Sequence, residues 1–219
     1  FELGIEKKKT TYSFGANLYY MKYKDQLVLT GKINDVGSYT RTNIPNSYRA
    51  GIELQSAVTV TKWMNAAANV TFSKNKIKNF TEYLDDYDNG GQKTNFYSST
   101  DIAYSPNIVA GGSINFIPVK NGGISLISKY VGRQYLDNTG MKSRSLNPYY
   151  VQDVRLNYTV KNKVFKAIDL ILQLNNVFSK KYEPNGYSFS YIYGGALTTE
   201  NYYFPMATFN VMAGVNINF

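Results

Sequence analysis

The side chains that most often carry out catalysis are missing from this sequence. Its 219 residues include no cysteine and no histidine. Without cysteine there is no disulfide, thiolate metal site, iron–sulfur cluster or thiol nucleophile. Without histidine the chain lacks the commonest general base and the commonest metal ligand, which excludes Ser-His-Asp and Cys-His catalysis within it. We therefore expect a protein that is not an enzyme and has no cofactor.

The residues that remain for ligand chemistry include an acidic cluster. The stretch "EYLDDYDNGGQ" places Glu82, Asp85, Asp86 and Asp88 close together. Asp86-x-Asp88-x-Gly90 is similar to the start of a calcium-binding loop, but the distal glutamate at the required spacing is missing. Two interpretations stay open: a solvated acidic loop, which we favour, and a calcium ion held by Asp85, Asp86 and Asp88.

Basic residues and tyrosines form the other conspicuous groups. The formal net charge of +9 indicates a solvated basic surface, or attraction to nucleic acid or anionic lipid. The basic residues do not interleave with aromatic residues as they do in nucleic-acid modules, so we expect no nucleic-acid partner. Near the C-terminus, tyrosines fit either stacking on a ligand or packing of loop against loop. These are Tyr187, Tyr191, Tyr193, Tyr202 and Tyr203.

A hydrophobic period of two runs through the chain and predicts β-strands. Nine strands are predicted, at residues 1–7, 12–30, 44–60, 65–77, 106–118, 124–136, 149–160, 167–180 and 203–219. No segment shows helical periodicity, and no run approaches the ~18 apolar residues of a membrane helix. The chain is therefore predicted to be all-β, with one domain over residues 1–219 and no internal boundary.

The connections between the predicted strands alternate between short and long. Short turns are predicted at residues 8–11, 61–64, 119–123 and 161–166, and long polar loops at 31–43, 78–105, 135–148 and 181–202. Short periplasmic turns and long extracellular loops are typical of outer-membrane barrels, in which apolar strand faces contact lipid and polar faces line the lumen. The sequence therefore favours an antiparallel up-and-down transmembrane β-barrel over a soluble sandwich.

Side chains at the predicted strand ends and polar faces fit this architecture. Tyrosines predicted to form an interfacial girdle on the loop side are Tyr19, Tyr20, Tyr23, Tyr130, Tyr135, Tyr149 and Tyr150, with Trp63 and Phe165 on the turn side. Charged residues predicted to face the lumen are Glu53, Lys129, Arg133, Asp153, Arg155 and Asp169. We expect the lumen-facing charges to contact an internal domain or a substrate.

The C-terminal segment resembles known outer-membrane proteins. Phe219, with Ile217, Val215, Val211 and Phe209 in register behind it, resembles the C-terminal signature that the barrel assembly machinery reads. The stretch "LQLNNVFSKKYEPNG" (172–186), followed by "YYFPMATFNVMAGVNINF", is similar to the last two strands of TonB-dependent outer-membrane receptors of a Bacteroidetes-like type. The stretch "NLYYMKYKDQLVLTG" (17–31) is similar to another barrel strand of that family.

The resemblance implies the C-terminal part of a larger, 22-stranded barrel, whose plug domain and TonB-contacting box are absent from this chain. Nine strands also predict a fragment, because bacterial single-chain barrels have even strand numbers. We expect a periplasmic C-terminus and extracellular long loops in a bacterial outer membrane.

The family implies binding of a scarce substrate at extracellular loops and its import with TonB-coupled energy. Siderophore-iron, cobalamin or a similar ligand would be the substrate, and lumen-facing charges would mostly hold the plug. The implied partners are outer-membrane lipid and lipopolysaccharide, the barrel assembly machinery, TonB through the missing N-terminal part, and a small-molecule or metal-chelate ligand. A surface lipoprotein is a further candidate partner. The alternative function is a passive, structural or adhesive outer-membrane barrel completed by a partner chain.

Overall fold

A computed structural model describes residues 1–34, 36–161, 164 and 166–219. Phe165 and two further residues of the predicted turn at 161–166, residues 162 and 163, lie outside the described residues. No helix in the described part of the chain is long and apolar enough to cross a membrane. The described residues form sixteen strands: Glu2–Lys8 (β1), Tyr12–Tyr23 (β2), Gln26–Ile33 (β3), Tyr39–Ile44 (β4), Asn46–Thr61 (β5), Met64–Asp86 (β6), Gln92–Asp101 (β7), Ile108–Val119 (β8), Gly122–Val131 (β9), Gln134–Tyr135 (β10), Ser145–Leu146 (β11), Tyr149–Val160 (β12), Ala167–Asn175 (β13), Asn185–Tyr193 (β14), Ala196–Phe204 (β15) and Asn210–Asn218 (β16).

Nine of these strands form one continuous antiparallel path. Their order is β1-β2-β5-β6-β8-β9-β12-β13-β16, and each strand is hydrogen-bonded to its neighbours in this order. Other strands branch from this path or form small separate sheets. The predicted nine-strand, up-and-down antiparallel arrangement is therefore confirmed.

The cross-strand register places apolar residues together on one face of this sheet. Val211 and Val215 of β16 lie opposite Leu174 and Leu170 of β13. Because side chains alternate between faces, these pairs and every second residue along the neighbouring strands share one face. On β5 that face carries Ile52, Leu54 and Val58. The opposite face is polar, with Glu53 and Gln55 on β5 and Asn210 and Asn216 on β16.

The polar face is the concave one. An open cavity of about 630 Å³ is bounded by six neighbouring strands from β1 to β9. Its lining on the polar face includes Glu6, Ser13, Gln55, Asn69 and Lys129. One cavity bounded by six adjacent strands requires the sheet to curve around it. The apolar face is therefore convex.

The long connections are β-hairpins, which corrects the predicted loops. The predicted strand 12–30 divides at Asp25, whose positive φ of 56° turns the chain from β2 into β3. β3 pairs with β4, β6 continues to Asp86 and pairs with β7, and β14 pairs with β15. In the predicted loop 135–148, β10 and β11 form a two-residue ladder. Strand pairing gives these polar segments partners for their backbone groups, as extended loops would not.

Three strands of the main sheet are shorter than predicted: β9 ends at Val131, β13 ends at Asn175 and β16 begins at Asn210. Tyr203, predicted to belong to the last strand, therefore belongs to β15. Asn176 explains the end of β13. It has a positive φ of 48°, and its backbone N–H donates to Asp153 Oδ1 at 2.7 Å. Its side-chain amide donates to the carbonyls of Lys180 (2.8 Å) and Ala207 (3.2 Å). Asn176 thus turns the chain and ties down the segment that leads to β16.

The register divides the predicted tyrosine girdle between the two faces. Tyr20, Tyr130 and Tyr150 lie on the convex face, Tyr19, Tyr23 and Tyr149 lie on the concave face, and Tyr135 belongs to β10. A row formed by Lys22, Tyr48 and Lys76 crosses three strands on the convex face, next to the hairpins. The apolar band therefore ends at a basic and aromatic border on that side.

A small hydrophobic core joins the β3–β4 hairpin to the extended part of β6. It consists of Val28, Ile44, Ile77, Phe80 and Ile102, with Tyr97 packed against it. Ile77 is fully buried, whereas Leu29, which follows Val28 on β3, is 55% exposed. This core holds the hairpin in place.

Ile77→Ala should loosen the β3–β4 hairpin. Removing a fully buried isoleucine side chain costs about 2–5 kcal/mol through lost burial and the cavity left behind. Amide hydrogen exchange across residues 26–44 should accelerate, while exchange in β12 and β13 stays unchanged. Leu29→Ala on the exposed side of the same hairpin is the matched control. Equal exchange in the two variants would show that this core does not hold the hairpin.

Candidate functional site

Three hairpins meet at one end of the sheet, and we call them the hairpin cluster: residues 26–44, 78–101 and 185–204. β14 pairs in parallel with the end of β6, where Tyr191 and Ile192 lie opposite Asp85 and Asp86. The carboxylate of Asp88 accepts hydrogen bonds from the backbone N–H groups of Gly194 (2.8 Å) and Gly195 (2.7 Å). The tips of two hairpins are therefore joined by backbone pairing and one carboxylate.

Three of the four acidic residues predicted to lie in a solvated loop, Glu82, Asp85 and Asp86, are buried or half-buried, which corrects our prediction for them, whereas Asp88 is exposed. Glu82 is 5% exposed and Asp86 is 3% exposed. Asp85 accepts hydrogen bonds from the Tyr39 hydroxyl (2.7 Å) and the Gln92 side chain (2.8 Å). Among the described residues, no group of three or more acidic side chains lies close enough together to hold a metal ion. The structure therefore brings Asp85, Asp86 and Asp88 to one hairpin tip but directs each of them to protein donors.

A buried ion pair, not anticipated from the sequence, anchors the neighbouring segment. Arg144 is 1% exposed, and its Nη1 donates to Glu82 Oε1 and to Asp137 Oδ2, the latter at 2.9 Å. The other oxygen of Glu82 accepts the Tyr97 hydroxyl at 3.0 Å. Burial, together with the charge of Glu82, raises the pKa of Tyr97 to about 12. Residues 137–146 are thereby fixed against β6 and β7.

The predicted ligand-binding tyrosines lie mostly on one face of the β14–β15 hairpin. Tyr187 and Tyr202 are direct cross-strand partners, and their rings stack at 4.8 Å with an interplanar angle of 13°. Tyr191 and Tyr202 both donate their hydroxyls to Glu200, which lies on the same face. These two hydrogen bonds, that of Tyr202 first, hold the pKa of the Glu200 carboxyl below its ordinary value. Glu200 was not singled out from the sequence, although its spacing of two from Tyr202 predicts a shared face.

Both of the expected tyrosine roles have a counterpart in this geometry. Tyr191 packs against Tyr87 at 5.2 Å, which joins one hairpin to another. Tyr187 is 49% exposed and Tyr193 at the hairpin tip is 66% exposed, so their rings remain open to a ligand. Tyr203 lies on the opposite face of the hairpin.

The charged residues predicted to face a lumen lie on the concave face, with one exception. Asp153 supports Asn176, and Asp169 accepts hydrogen bonds from Thr159 (2.7 Å) and Asn218 (3.2 Å). Arg133 is the exception: the predicted strand 124–136 includes it, but β9 ends at Val131, and Arg133 donates to Ser145 Oγ at 2.7 Å. The residues on the concave face are Glu53, Lys129, Asp153, Arg155 and Asp169.

The residues of the predicted assembly signal divide between β16 and its flanks. Val211, Val215 and Ile217 lie on the convex face, paired with residues of β13. Phe209 and Phe219 lie immediately before and after the strand. The geometry therefore gives three of the five residues a shared apolar surface.

Lys93→Met should make the tip of the β6–β7 hairpin more sensitive to acid. The Lys93 ammonium, 2.8 Å from Asp86, is the main reason that the pKa of the Asp86 carboxyl falls to about 2 from 3.8. A lowered pKa contributes stability that is present above pH ~4 and lost as the pH falls towards 2. The variant should therefore lose protection of its tip amides at a higher pH. Hydrogen exchange across residues 86–91, corrected for intrinsic rates, measures this.

Lys32→Met is the control, because Lys32 lies over the Tyr83 ring in the same hairpin cluster and forms no salt bridge with Asp86. It should leave the acid response of residues 86–91 unchanged. Identical acid profiles in the wild type and Lys93→Met would contradict the assigned role of Lys93.

Solved structures of three bacterial proteins contain a similar fold. The ferric-catecholate import receptor Fiu from Escherichia coli K12 is 18% identical with a TM-score of 0.66, and the match covers 100% of this chain and 27% of that one. The siderophore receptor PiuA from Acinetobacter baumannii is 17% identical with a TM-score of 0.71, and the match covers 99% of this chain and 28% of that one. The FrpB iron transporter from Neisseria meningitidis is 17% identical with a TM-score of 0.62, and the match covers 98% of this chain and 30% of that one. The chain thus spans less than a third of the length of these proteins.

The sequence itself was also compared with curated proteins and with protein families. No curated protein sequence matches the chain. The family described as "TonB dependent receptor-like, beta-barrel" matches residues 1–177. This match covers most of the chain and agrees with the antiparallel sheet and its hairpins. The chain belongs to the TonB-dependent receptor-like β-barrel family.

Proposed function

We propose that this chain is the C-terminal part of the barrel of an outer-membrane receptor that binds a scarce substrate and imports it with TonB-coupled energy. The observation that carries the proposal is the amphipathic sheet, apolar on its convex face and polar on its concave face, with hairpins gathered at one end. A membrane barrel has this distribution because lipid surrounds it and water or an internal domain fills it. The similar structures named above are import receptors or transporters.

The hairpin cluster faces the cell exterior in this proposal, and the C-terminus is periplasmic. β6 has 23 residues, so it extends about 75 Å, far beyond an apolar band of about 25 Å. Its excess length lies on the hairpin side, past the border of Lys22, Tyr48 and Lys76. Lys22 at this height meets a phosphate of lipopolysaccharide, whereas the Lys76 ammonium is paired with Asp101 at 2.8 Å. The short turns lie at the opposite membrane surface.

The β14–β15 hairpin supplies the substrate-binding surface. The open rings of Tyr187, Tyr193 and Tyr202 offer stacking area, and Tyr191 and Tyr202 hold the Glu200 carboxylate in a fixed position. Stacking of a planar group on tyrosine and hydrogen bonding to a held carboxylate suit a small ligand such as a metal chelate. A surface lipoprotein is a further candidate partner at this end.

The concave face contacts an internal plug domain supplied by the N-terminal part of the receptor, through which TonB acts. Glu53, Lys129, Asp153, Arg155 and Asp169 provide charges for this contact, and Arg133 lies at its rim. Phe209, Val211, Val215, Ile217 and Phe219 act as the signal for the barrel assembly machinery. Their support is the apolar convex face of the edge strand β16, with Phe209 directly before the strand and Phe219 directly after it.

Val211→Arg should reduce the yield of folded protein in the outer membrane, and Asn210→Arg should reduce it much less. Val211 lies on the convex face and Asn210 on the concave face. An arginine facing lipid near the bilayer midplane costs ~2–4 kcal/mol, whereas lumenal positions tolerate polar side chains. Heat-modifiable gel migration of outer-membrane fractions measures the folded yield. Normal insertion of Val211→Arg with failure of Asn210→Arg would reverse the assigned faces.

Transport is tested on cells that produce the full-length protein, compared with cells that lack it. Cell-associated iron, cobalt and copper are measured by elemental mass spectrometry, with and without a functional TonB and with and without a protonophore. We expect accumulation of one metal that requires the protein, TonB and the proton gradient together. Protein-dependent accumulation that persists without TonB would instead identify a passive barrel, and no protein-dependent accumulation would favour a structural or adhesive one.

A further inference from the structure

A half-buried arginine on the concave face lacks a salt-bridge partner among the described residues. Arg49 of β5 lies directly opposite Asn75 of β6. Within the described part of the chain, the salt bridges involve Lys76, Lys93 and Arg144, and none reaches Arg49. Glu53, the nearest acidic residue on the same face of β5, is four residues along the strand, which corresponds to about 13 Å. Arg49 therefore forms no salt bridge with a described residue, and the nearby carboxylates of Glu2 and Glu53 line the same cavity without pairing with it.

Neutral groups hold the Arg49 guanidinium in one orientation. Its Nη1 donates to Asn75 Oδ1 at 3.3 Å and to Ser105 Oγ at 2.9 Å. Asn75 is 3% exposed, and its amide group donates to Ser73 Oγ (2.9 Å) and to the Ser105 carbonyl (3.5 Å). Ser105 Oγ in turn donates to the Ala103 carbonyl at 3.1 Å. The side chains of Asn75 and Ser105 thus have partners on both sides, so they fix the arginine without neutralising it.

The two atoms left free form the edge that recognises oxyanions. Both N–H groups of Nη1 are used by Asn75 and Ser105, which leaves Nε and Nη2 unpaired among the described residues. These two nitrogens donate in parallel, and their spacing fits a carboxylate or phosphate side-on. A fixed fork also loses less conformational entropy on binding than a mobile one.

Arg49 also lines a cavity of about 360 Å³. The other residues that line it include Tyr19 and the two acidic residues Glu2 and Glu53. The Tyr19 ring extends over Gly51, where a Cβ atom would come within 2.6 Å of the Tyr19 hydroxyl and 2.5 Å of the Phe72 carbonyl. Glycine at this position therefore allows the Tyr19 phenol to extend over β5, and its hydroxyl is a neutral donor in the cavity that Arg49 also lines.

We infer that Arg49 and Tyr19, with Asn75 and Ser105 as positioning residues, form a binding site for the oxyanion of a small ligand, either a carboxylate or a phosphate. The inference rests on the proposed function in one respect, since the concave face must be the lumenal wall that a substrate passes. It adds the substrate class: a ligand that carries an oxyanion group. The site lies near the hairpin end of the sheet, because Arg49 is only one row of that face below Ser47, which opposes Ile77.

The test is residue-resolved chemical protection in the full-length wild-type protein, purified in detergent. Phenylglyoxal modifies accessible guanidinium groups, and the modified peptides are quantified by mass spectrometry in inorganic phosphate and in chloride at equal ionic strength. Phosphate at twice its dissociation constant should slow modification of Arg49 about threefold by mass action. Exposed Arg41 should react equally in both salts, and buried Arg144 should react in neither.

A second readout uses variants. Broadening of the ³¹P resonance of inorganic phosphate by the protein should be lost in Arg49→Gln and retained in Arg41→Gln. Equal modification of Arg49 in phosphate and chloride would overturn the inference. So would an Arg49 that is unreactive in both salts, since it would then be paired with a carboxylate of the protein itself. Neither measurement needs TonB or a proton gradient, so failure here is distinguishable from failure of the proposed transport.

Discussion

The register between neighbouring strands is the constraint on which the rest of this structure depends. A shift of one residue would exchange the two faces of a strand completely, because side chains alternate with a period of two. The pairs between β13 and β16 keep Leu170 beside Val215 on the convex face and Asp169 beside Asn216 on the concave face. The same phase is kept across the nine strands of the main path, except at the turn ends of the β5–β6 and β8–β9 pairs, where the register shifts. Two surfaces of opposite polarity follow from that single choice of register.

The hairpin cluster depends in turn on one long strand. β6 pairs with β5 and β8 along its first part and with β7 along its second, so it joins the curved sheet to the hairpins. Glu82 on this strand meets Arg144, Asp85 meets Tyr39, and Asp86 meets Lys93. Removing one partner of a buried pair such as Glu82 and Arg144 leaves an uncompensated charge, which costs about 3–5 kcal/mol. The acidic stretch therefore organises the cluster by pairing with other segments.

Much of the sheet could be predicted from the sequence, because burial on two different surfaces leaves a strict alternation. Ile52, Glu53, Leu54 and Gln55 show this pattern, and the structure places them on alternate faces. The hairpins could not be predicted in this way, since both faces of β7, β14 and β15 carry Ser, Thr, Asn and Tyr, and their polar pattern is that of a loop. The contact between Glu82 and Arg144 spans 62 residues of sequence, and no local spacing indicates it. Arg49 is an even number of residues from Glu53, so the alternation predicts that both lie on the same face of β5. That neutral groups and no carboxylate hold Arg49 becomes visible only when the structure places Asn75 and Ser105 beside it.

The central claim, that the convex face meets lipid and the concave face meets water, is tested most directly by labelling four consecutive positions of β5. The chain has no cysteine of its own, so spin labels can be attached to single cysteines introduced at residues 52, 53, 54 and 55. The measurement uses the full-length protein in lipid bilayers, with any cysteine outside this chain replaced. Collision rates with oxygen, which concentrates in lipid, and with a water-soluble nickel chelate are then compared. We predict high oxygen accessibility at 52 and 54 and low oxygen accessibility at 53 and 55. At 53 and 55 the nickel chelate should collide with the spin label as far as it can enter the interior of the barrel. Equal oxygen accessibility at all four positions, or the opposite phase, would contradict the account.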